Sequence, residues 1–99
     1  MKNTCKVIWS FEAVDNLDAI INWLEKNWSE KEIKKFLLKL KNQIKIIQNQ
    51  PLSFPKSQFI AARKSVLSKH LTIYYNYKEE SIYILSIFDS RQALQKLIK

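Results

Sequence analysis

The sequence predicts a small α+β domain of element order βααβββα, in which an antiparallel sheet packs against an α-helical hairpin. The first half of the chain carries apolar residues at helical spacing over two segments, and the part after the two prolines alternates with a period of two. A chain of 99 residues has room for one modest core, so we expect a single domain over 1–99.

The first predicted elements are a strand and a helix. Residues 5–9 are rich in β-forming side chains and alternate, which is typical of a strand. Ser10 can cap the helix that follows, where apolar residues recur every three or four positions from Ala13 to Leu24. We expect this helix to end at 26–27.

A capping box predicts where the second helix begins. Ser29 and Glu32 form the S-x-x-E pattern, and Trp28 and Ile33 are placed to make the hydrophobic staple. The apolar stripe of this helix continues until shortly before Pro51, which ends it. The short connection between the two helices predicts an antiparallel hairpin. The lysines of the second helix are interpreted as a solvated face, and a phosphate-binding track is the alternative.

The remaining predicted elements follow a loop that holds both prolines. The expected strands are 59–67, 71–77 and 82–88, and a short helix is expected over 91–99. The last strand is apolar on both faces except at Ser86, as in a central strand that is covered on both sides. The helical hairpin covers one face. We expect the other face to be covered either by the C-terminal segment or by a second protein.

The composition excludes several classes of protein. No glycine is present, which argues against Gly-rich phosphate loops, dinucleotide fingerprints, nucleophile elbows and EF-hand loops. One cysteine and one histidine cannot hold a structural zinc ion, and we expect no cofactor. The absence of a long apolar run and of a signal-peptide core predicts a cytoplasmic protein without a membrane partner. The net charge of +8 favours acidic or polyanionic partners.

The order of these elements resembles the RelE/ParE superfamily of toxins from bacterial type II toxin–antitoxin modules. The resemblance spans almost the whole chain and is carried by IWSFEAVDNLDAI, the hairpin ending at Pro51, the Phe54-Pro55 loop, Arg63, Tyr75 in LTIYYNY, and SIYILSIFDSRQ. It implies a growth inhibitor that a cognate antitoxin neutralises, commonly through an acidic segment that folds on binding. The residues expected to bind the antitoxin are Tyr75, Tyr77, Tyr83 and Leu85.

Two targets are compatible with this resemblance. RelE-like members cleave mRNA in the ribosomal A site without a metal, which requires a proton acceptor, a proton donor and cations around the phosphate. For that activity the candidate catalytic residues are Arg63, Lys64, His70 and Arg91. The candidates for binding RNA or another target are Lys56, Arg63, Lys69 and Arg91.

The C-terminal sequence favours the other target. RNase members usually carry a Tyr or His near the C-terminus, whereas SRQALQKLIK contains neither. ParE-like members use the same fold without a nuclease site and poison DNA gyrase. We therefore expect a ParE-like inhibitor of gyrase. A ribosome-dependent mRNA endonuclease is the first alternative, and a small basic nucleic-acid-binding domain is the second.

Overall fold

A computed structural model describes residues 5–90 of the chain. Its elements in chain order are β1 (Lys6–Trp9), α1 (Phe11–Asn27), α2 (Glu30–Asn49), β2 (Arg63–Val66), β3 (Leu71–Lys78) and β4 (Ser81–Asp89). These elements confirm the α+β class and the predicted order as far as β4. The short helix expected over 91–99 lies outside the described residues. No helix in the described part of the chain is long and apolar enough to cross a membrane.

Both helices begin at the predicted caps. The Ser10 hydroxyl accepts a hydrogen bond from the Ala13 N–H at 3.0 Å and donates to the Leu85 carbonyl at 2.9 Å, so it joins α1 to β4. The capping box of α2 is also present, with the Ser29 N–H donating to the Glu32 carboxylate at 3.3 Å and the Glu32 N–H donating to the Ser29 hydroxyl at 3.4 Å. These bonds satisfy N–H groups that the first helical turn leaves unpaired.

The four strands form one mixed sheet in the order β1-β4-β3-β2. Strands β2, β3 and β4 make the predicted antiparallel meander, but β1 pairs with β4 in parallel. The sheet is therefore not antiparallel throughout. A parallel pair needs a long crossover, and the two helices together with β2 and β3 supply it. This arrangement makes β4 a central strand, as its apolar sequence predicts.

The predicted strand 59–67 is shorter in the structure, where only 63–66 pair with β3. The preceding residues form an irregular loop. In that loop the Ser57 hydroxyl accepts hydrogen bonds from the N–H groups of Phe59 and Ile60 at 3.0 and 3.3 Å. The Ser57 hydroxyl thus binds backbone N–H groups that would pair with β3 if the strand were longer.

The two helices cover one face of the sheet, and the core lies between these two layers. The buried side chains of this core include Ile20, Leu24, Phe36, Leu40, Ile47, Ile73, Tyr75, Ile82, Ile84 and Ile87. Burial of each such large apolar side chain stabilises the fold by about 1.5–3 kcal/mol before the entropy cost of ordering is counted. The face of the sheet opposite the helices, here called the open face, is not covered by any described element.

A bulge in β4 determines which of its residues face the core. Leu85 has no opposite residue in β3, because the register shifts at this point. Ile84 and Ile87 are therefore both buried, although strict alternation would place residues three positions apart on opposite faces. The amide oxygen of Asn16 on α1 accepts a hydrogen bond from the Ile87 N–H at 3.0 Å and holds the strand there.

Candidate functional site

Arg63 holds the loop that follows α2. It lies on the helix-covered side of β2, and its Nη1 donates to the carbonyl oxygens of Phe54 at 2.7 Å and Leu52 at 3.5 Å. Tyr75 is its partner in β3, and the Tyr75 hydroxyl donates to the Pro51 carbonyl at 2.7 Å. The guanidinium that the sequence suggested for phosphate binding is thus used, at least in part, to fix the loop.

Tyr75 belongs to the core. Its side chain is 0 % exposed, and its ring packs edge-on against that of Phe54 with centroids 6.2 Å apart. Burial raises the pKa of Tyr75 to about 12, and the positive charge of Arg63 opposes this rise. The phenol therefore remains a neutral hydrogen-bond donor at physiological pH.

The four residues proposed for antitoxin binding do not share one surface. Tyr75 and Tyr77 point to the helix-covered side, where Tyr77 packs against the core. Tyr83 alternates with the buried residues of β4, so it lies on the open face, and the partly buried Leu85 forms the bulge. The aromatic face of β3, which carries Tyr75 and Tyr77, is the face that the helices cover. In this conformation Tyr75 offers no surface to a partner.

The candidate catalytic residues that the structure describes, Arg63, Lys64 and His70, are also separated. Arg63 lies opposite Tyr75, whereas His70 lies five residues before Tyr75 in the turn that leads into β3. At about 3.3 Å per residue, this separation is on the order of 15 Å along the sheet. Lys64 follows Arg63 in the strand and therefore points to the open face. Groups that contact one phosphate must each come within about 3 Å of its oxygens, and these side chains do not converge in that way.

The structure instead groups the basic candidates at two ends of the sheet. Lys56 forms an isolated bridge with Arg63, and both line a shallow cavity of about 360 Å³. Lys69 and His70 lie at the opposite end, where His70 Nδ1 is 3.4 Å from the Ser90 hydroxyl. Arg91, the remaining candidate, lies outside the described residues.

The open face carries exposed apolar side chains. Val66 is 60 % exposed and Phe88 is 44 % exposed, and the adjoining loop presents Phe59 at 84 %. A cavity of about 390 Å³ lies here between Phe59, Tyr74 and Phe88. Several large apolar side chains exposed on one face of a sheet indicate an interaction site.

A third cavity, here called the helix groove, lies between the helices and the β2–β3 turn. Its volume is about 440 Å³. The side chains that line it are Ile20, Leu24, Trp28, Glu32, Lys35, Phe36, Lys39, Leu67, Ser68, Lys69, His70 and Leu71. The sequence did not reveal this groove, although Lys35 and Lys39 flank the apolar Phe36 at helical spacing. The sequence pattern by itself favours a solvated face for these lysines.

The described residues contain no group of three or more His, Cys, Asp or Glu side chains placed to hold a metal ion. The arrangement of residues 5–90 is that of a basic protein with two exposed apolar sites, which is suited to binding other macromolecules.

Comparison with known proteins agrees with this architecture. The family model of the ParE toxin of the type II toxin–antitoxin system parDE matches residues 7–94. No curated protein sequence is significantly similar to the chain. A structure of the chromosomal ParDE toxin–antitoxin system from P. aeruginosa has a TM-score of 0.73 at 20% identity and covers 87% of this chain and 96% of that chain. A structure of the E. coli DinJ-YafQ toxin–antitoxin complex has a TM-score of 0.60 at 9% identity, with coverage of 91% and 97%.

Proposed function

The chain belongs to the ParE toxin family of type II toxin–antitoxin systems, and from this premise we propose that it inhibits bacterial growth by binding DNA gyrase and is neutralised by a cognate antitoxin. The observation that carries the choice of gyrase is the separation of the candidate catalytic residues. Arg63 is bonded to loop carbonyls, and His70 lies at the other end of the sheet. A binding function needs no such convergence.

The open face supports the proposed antitoxin. It places apolar side chains in the solvent on a chain of net charge +8. An acidic segment would be attracted by this charge and would gain affinity by covering the apolar side chains. Of the residues suggested by the sequence, Tyr83 and Leu85 lie where such a segment can reach them, whereas Tyr75 does not.

The target is tested with purified protein in two parallel assays. We expect the protein to inhibit supercoiling by gyrase and to leave translated mRNA uncut in a primer-extension assay. Prior addition of the antitoxin should restore supercoiling. Cuts within codons that decrease in Lys64→Ala and His70→Ala would contradict the gyrase proposal and support the mRNA endonuclease. Binding to free nucleic acid that weakens steeply with salt, without toxicity, would support a nucleic-acid-binding domain.

The antitoxin surface is tested by charge insertion. We expect Val66→Glu on the open face to remain toxic but to escape neutralisation when the antitoxin is expressed with it. Leu38→Glu is the matched control, because Leu38 on α2 is 59 % exposed and lies away from the open face. Equal neutralisation of both variants would show that the antitoxin binds elsewhere.

A further inference from the structure

The side of α2 that faces away from the sheet carries a row of lysines. Steps of three and four positions return to the same face of an α-helix. Four exposed lysines follow each other at such steps, with only the exposed Leu38 between them, and are here called the lysine row: Lys31, Lys34, Lys41 and Lys45. The buried side chains of this helix lie on its opposite face, which packs in the core: Phe36, Leu40 and Ile47.

From this row we propose that the outer face of α2 binds the phosphate backbone of duplex DNA. The site is separate from the open face, and none of the four lysines lines the helix groove. Contacts to the backbone carry no sequence information, so we expect no preference for a base sequence. The inference rests on the proposed function only in the choice of DNA, which is the polyanion on which gyrase acts.

The length of the row suits a regular phosphate backbone. Lys31 and Lys45 are 14 positions apart, which is about 21 Å along a helix that rises about 1.5 Å per residue. One strand of DNA carries a phosphate for about every 3.4 Å of duplex axis, so this length faces about six phosphates. Lysine binds phosphate as a point charge on a flexible stem, and its spacing therefore does not have to match that of the phosphates.

The positive charge of the row is not offset by acidic residues along the helix. Residues 33–78 contain no aspartate or glutamate, and Glu32 in the first turn accepts the Ser29 N–H in the capping box. Lysines four positions apart, such as Lys41 and Lys45, repel each other and destabilise the helix. A face that only kept the protein in solution would avoid this repulsion by mixing both signs of charge. The charge pattern therefore favours phosphate binding over a solvated face.

The surroundings of the row favour a duplex over other polyanionic partners. A basic helix binds an anionic membrane by inserting its apolar stripe, but the apolar stripe of α2 lies in the core. Single-stranded RNA is bound mainly by stacking of its bases on aromatic side chains, and the exposed residues of α2 include none. The exposed face of α1 carries four acidic residues, which would repel DNA and leave α2 as the contact: Glu12, Asp15, Asp18 and Glu25.

The test measures binding of the full chain to a fluorescein-labelled DNA duplex of about 20 base pairs by fluorescence anisotropy, between about 50 and 200 mM salt. Each phosphate contact adds about 0.9 to the slope of log affinity against log salt. We expect Lys41→Gln/Lys45→Gln to weaken binding about tenfold or more and to lower this slope by about 1.8. Lys41→Arg/Lys45→Arg keeps both charges and should bind within about twofold of the unmodified chain.

The matched control is Lys6→Gln/Lys78→Gln, which removes the same number of charges. Both lysines are exposed, and each follows a residue that packs against the core, Cys5 and Tyr77, so alternation places them on the open face. We expect the control to weaken binding less than about threefold, by its effect on net charge alone, and to leave the salt slope unchanged. Far-UV circular dichroism checks that every variant is folded.

Three outcomes would overturn the proposal. Equal losses of affinity and slope in the row variant and the control would mean that DNA responds only to net charge. Tighter binding of duplex RNA or of anionic lipid vesicles than of DNA, lost in Lys41→Gln/Lys45→Gln, would assign the row to that partner. Absence of binding to DNA at about 50 mM salt would leave the row as a solvated face. Because this assay contains no gyrase, its failure is distinguishable from failure of the gyrase proposal, which is measured by supercoiling.

Discussion

Arg63 on β2 and Tyr75 on β3 lie directly opposite each other, and both donate hydrogen bonds to carbonyl groups of the loop that follows α2. The end of this helix has no basic residue in its last turn, so the guanidinium supplies positive charge from the sheet to the segment beyond it. The pair connects the helical layer to the sheet at the point where the chain leaves α2. Substitution of Arg63 is therefore expected to affect stability as well as any binding.

The first prediction concerns Arg63→Gln. Loss of the guanidinium should lower the free energy of unfolding by about 1–2 kcal/mol, because the Phe54 carbonyl loses its donor. Urea denaturation measures this change. Lys64→Gln is the control, since it removes the same charge from the adjacent position on the open face, and it should cost less than about 0.5 kcal/mol. Equal costs for the two variants would contradict a structural role of Arg63.

The second prediction concerns alkaline pH. The pKa of Tyr75 is raised from 10.0 to about 12, so the folded protein keeps this proton where the unfolded chain releases it. The stabilisation of the folded state that comes from this raised pKa is complete below pH 10, and it is lost as the pH rises toward 12. Between pH 10 and pH 12 the free energy of unfolding of the unmodified protein should fall by on the order of 2 kcal/mol more than that of Tyr75→Phe, because phenylalanine has no proton to release. Parallel curves of stability against pH for the two proteins would contradict the assignment.

The third prediction concerns a hydrogen bond between α2 and the sheet. Gln43 Nε2 donates to the hydroxyl of Ser65 at 2.6 Å, and Ser65 is fully buried. Gln43→Leu should cost about 1–3 kcal/mol, because it leaves the buried hydroxyl without this donor. Adding Ser65→Ala should recover part of that cost. A double-mutant cycle from denaturation measures the coupling, and strictly additive costs would argue against the bond.

The fourth prediction concerns the turn between β3 and β4. Glu79 and Glu80 both have positive φ, 52° and 60°, which costs about 1–2 kcal/mol for a residue with a Cβ. Glu79→Asn/Glu80→Gly matches the sequence preference of a two-residue hairpin turn and should raise Tm by several degrees. Glu79→Gln/Glu80→Gln removes the same charges but keeps the unfavourable backbone. A similar rise in the Tm of this control would show that the loss of charge, and not the change of backbone preference, stabilises the protein.

The candidate site was predictable from the sequence only in part. The basic residues and the apolar strand were visible as residue types, and no element within residues 5–90 covers the second face of the sheet. Which residues occupy that face was not predictable. The prediction placed Tyr75 at a partner surface, whereas the helices cover it and Arg63 shares its loop contacts. Alternation identifies residues on the same face of a strand, but it does not show which face the helices will cover.

The sequence by itself determined the elements that depend on near neighbours. The caps at Ser10 and Ser29, the end of α2 before Pro51, and the order of helices and strands follow from side chains within a few residues of each other. Only the tertiary structure decided the parallel pairing of β1 with β4, the bulge at Leu85, and the helix groove. These features join residues that are far apart in the chain, and their energies arise from packing that no local pattern records.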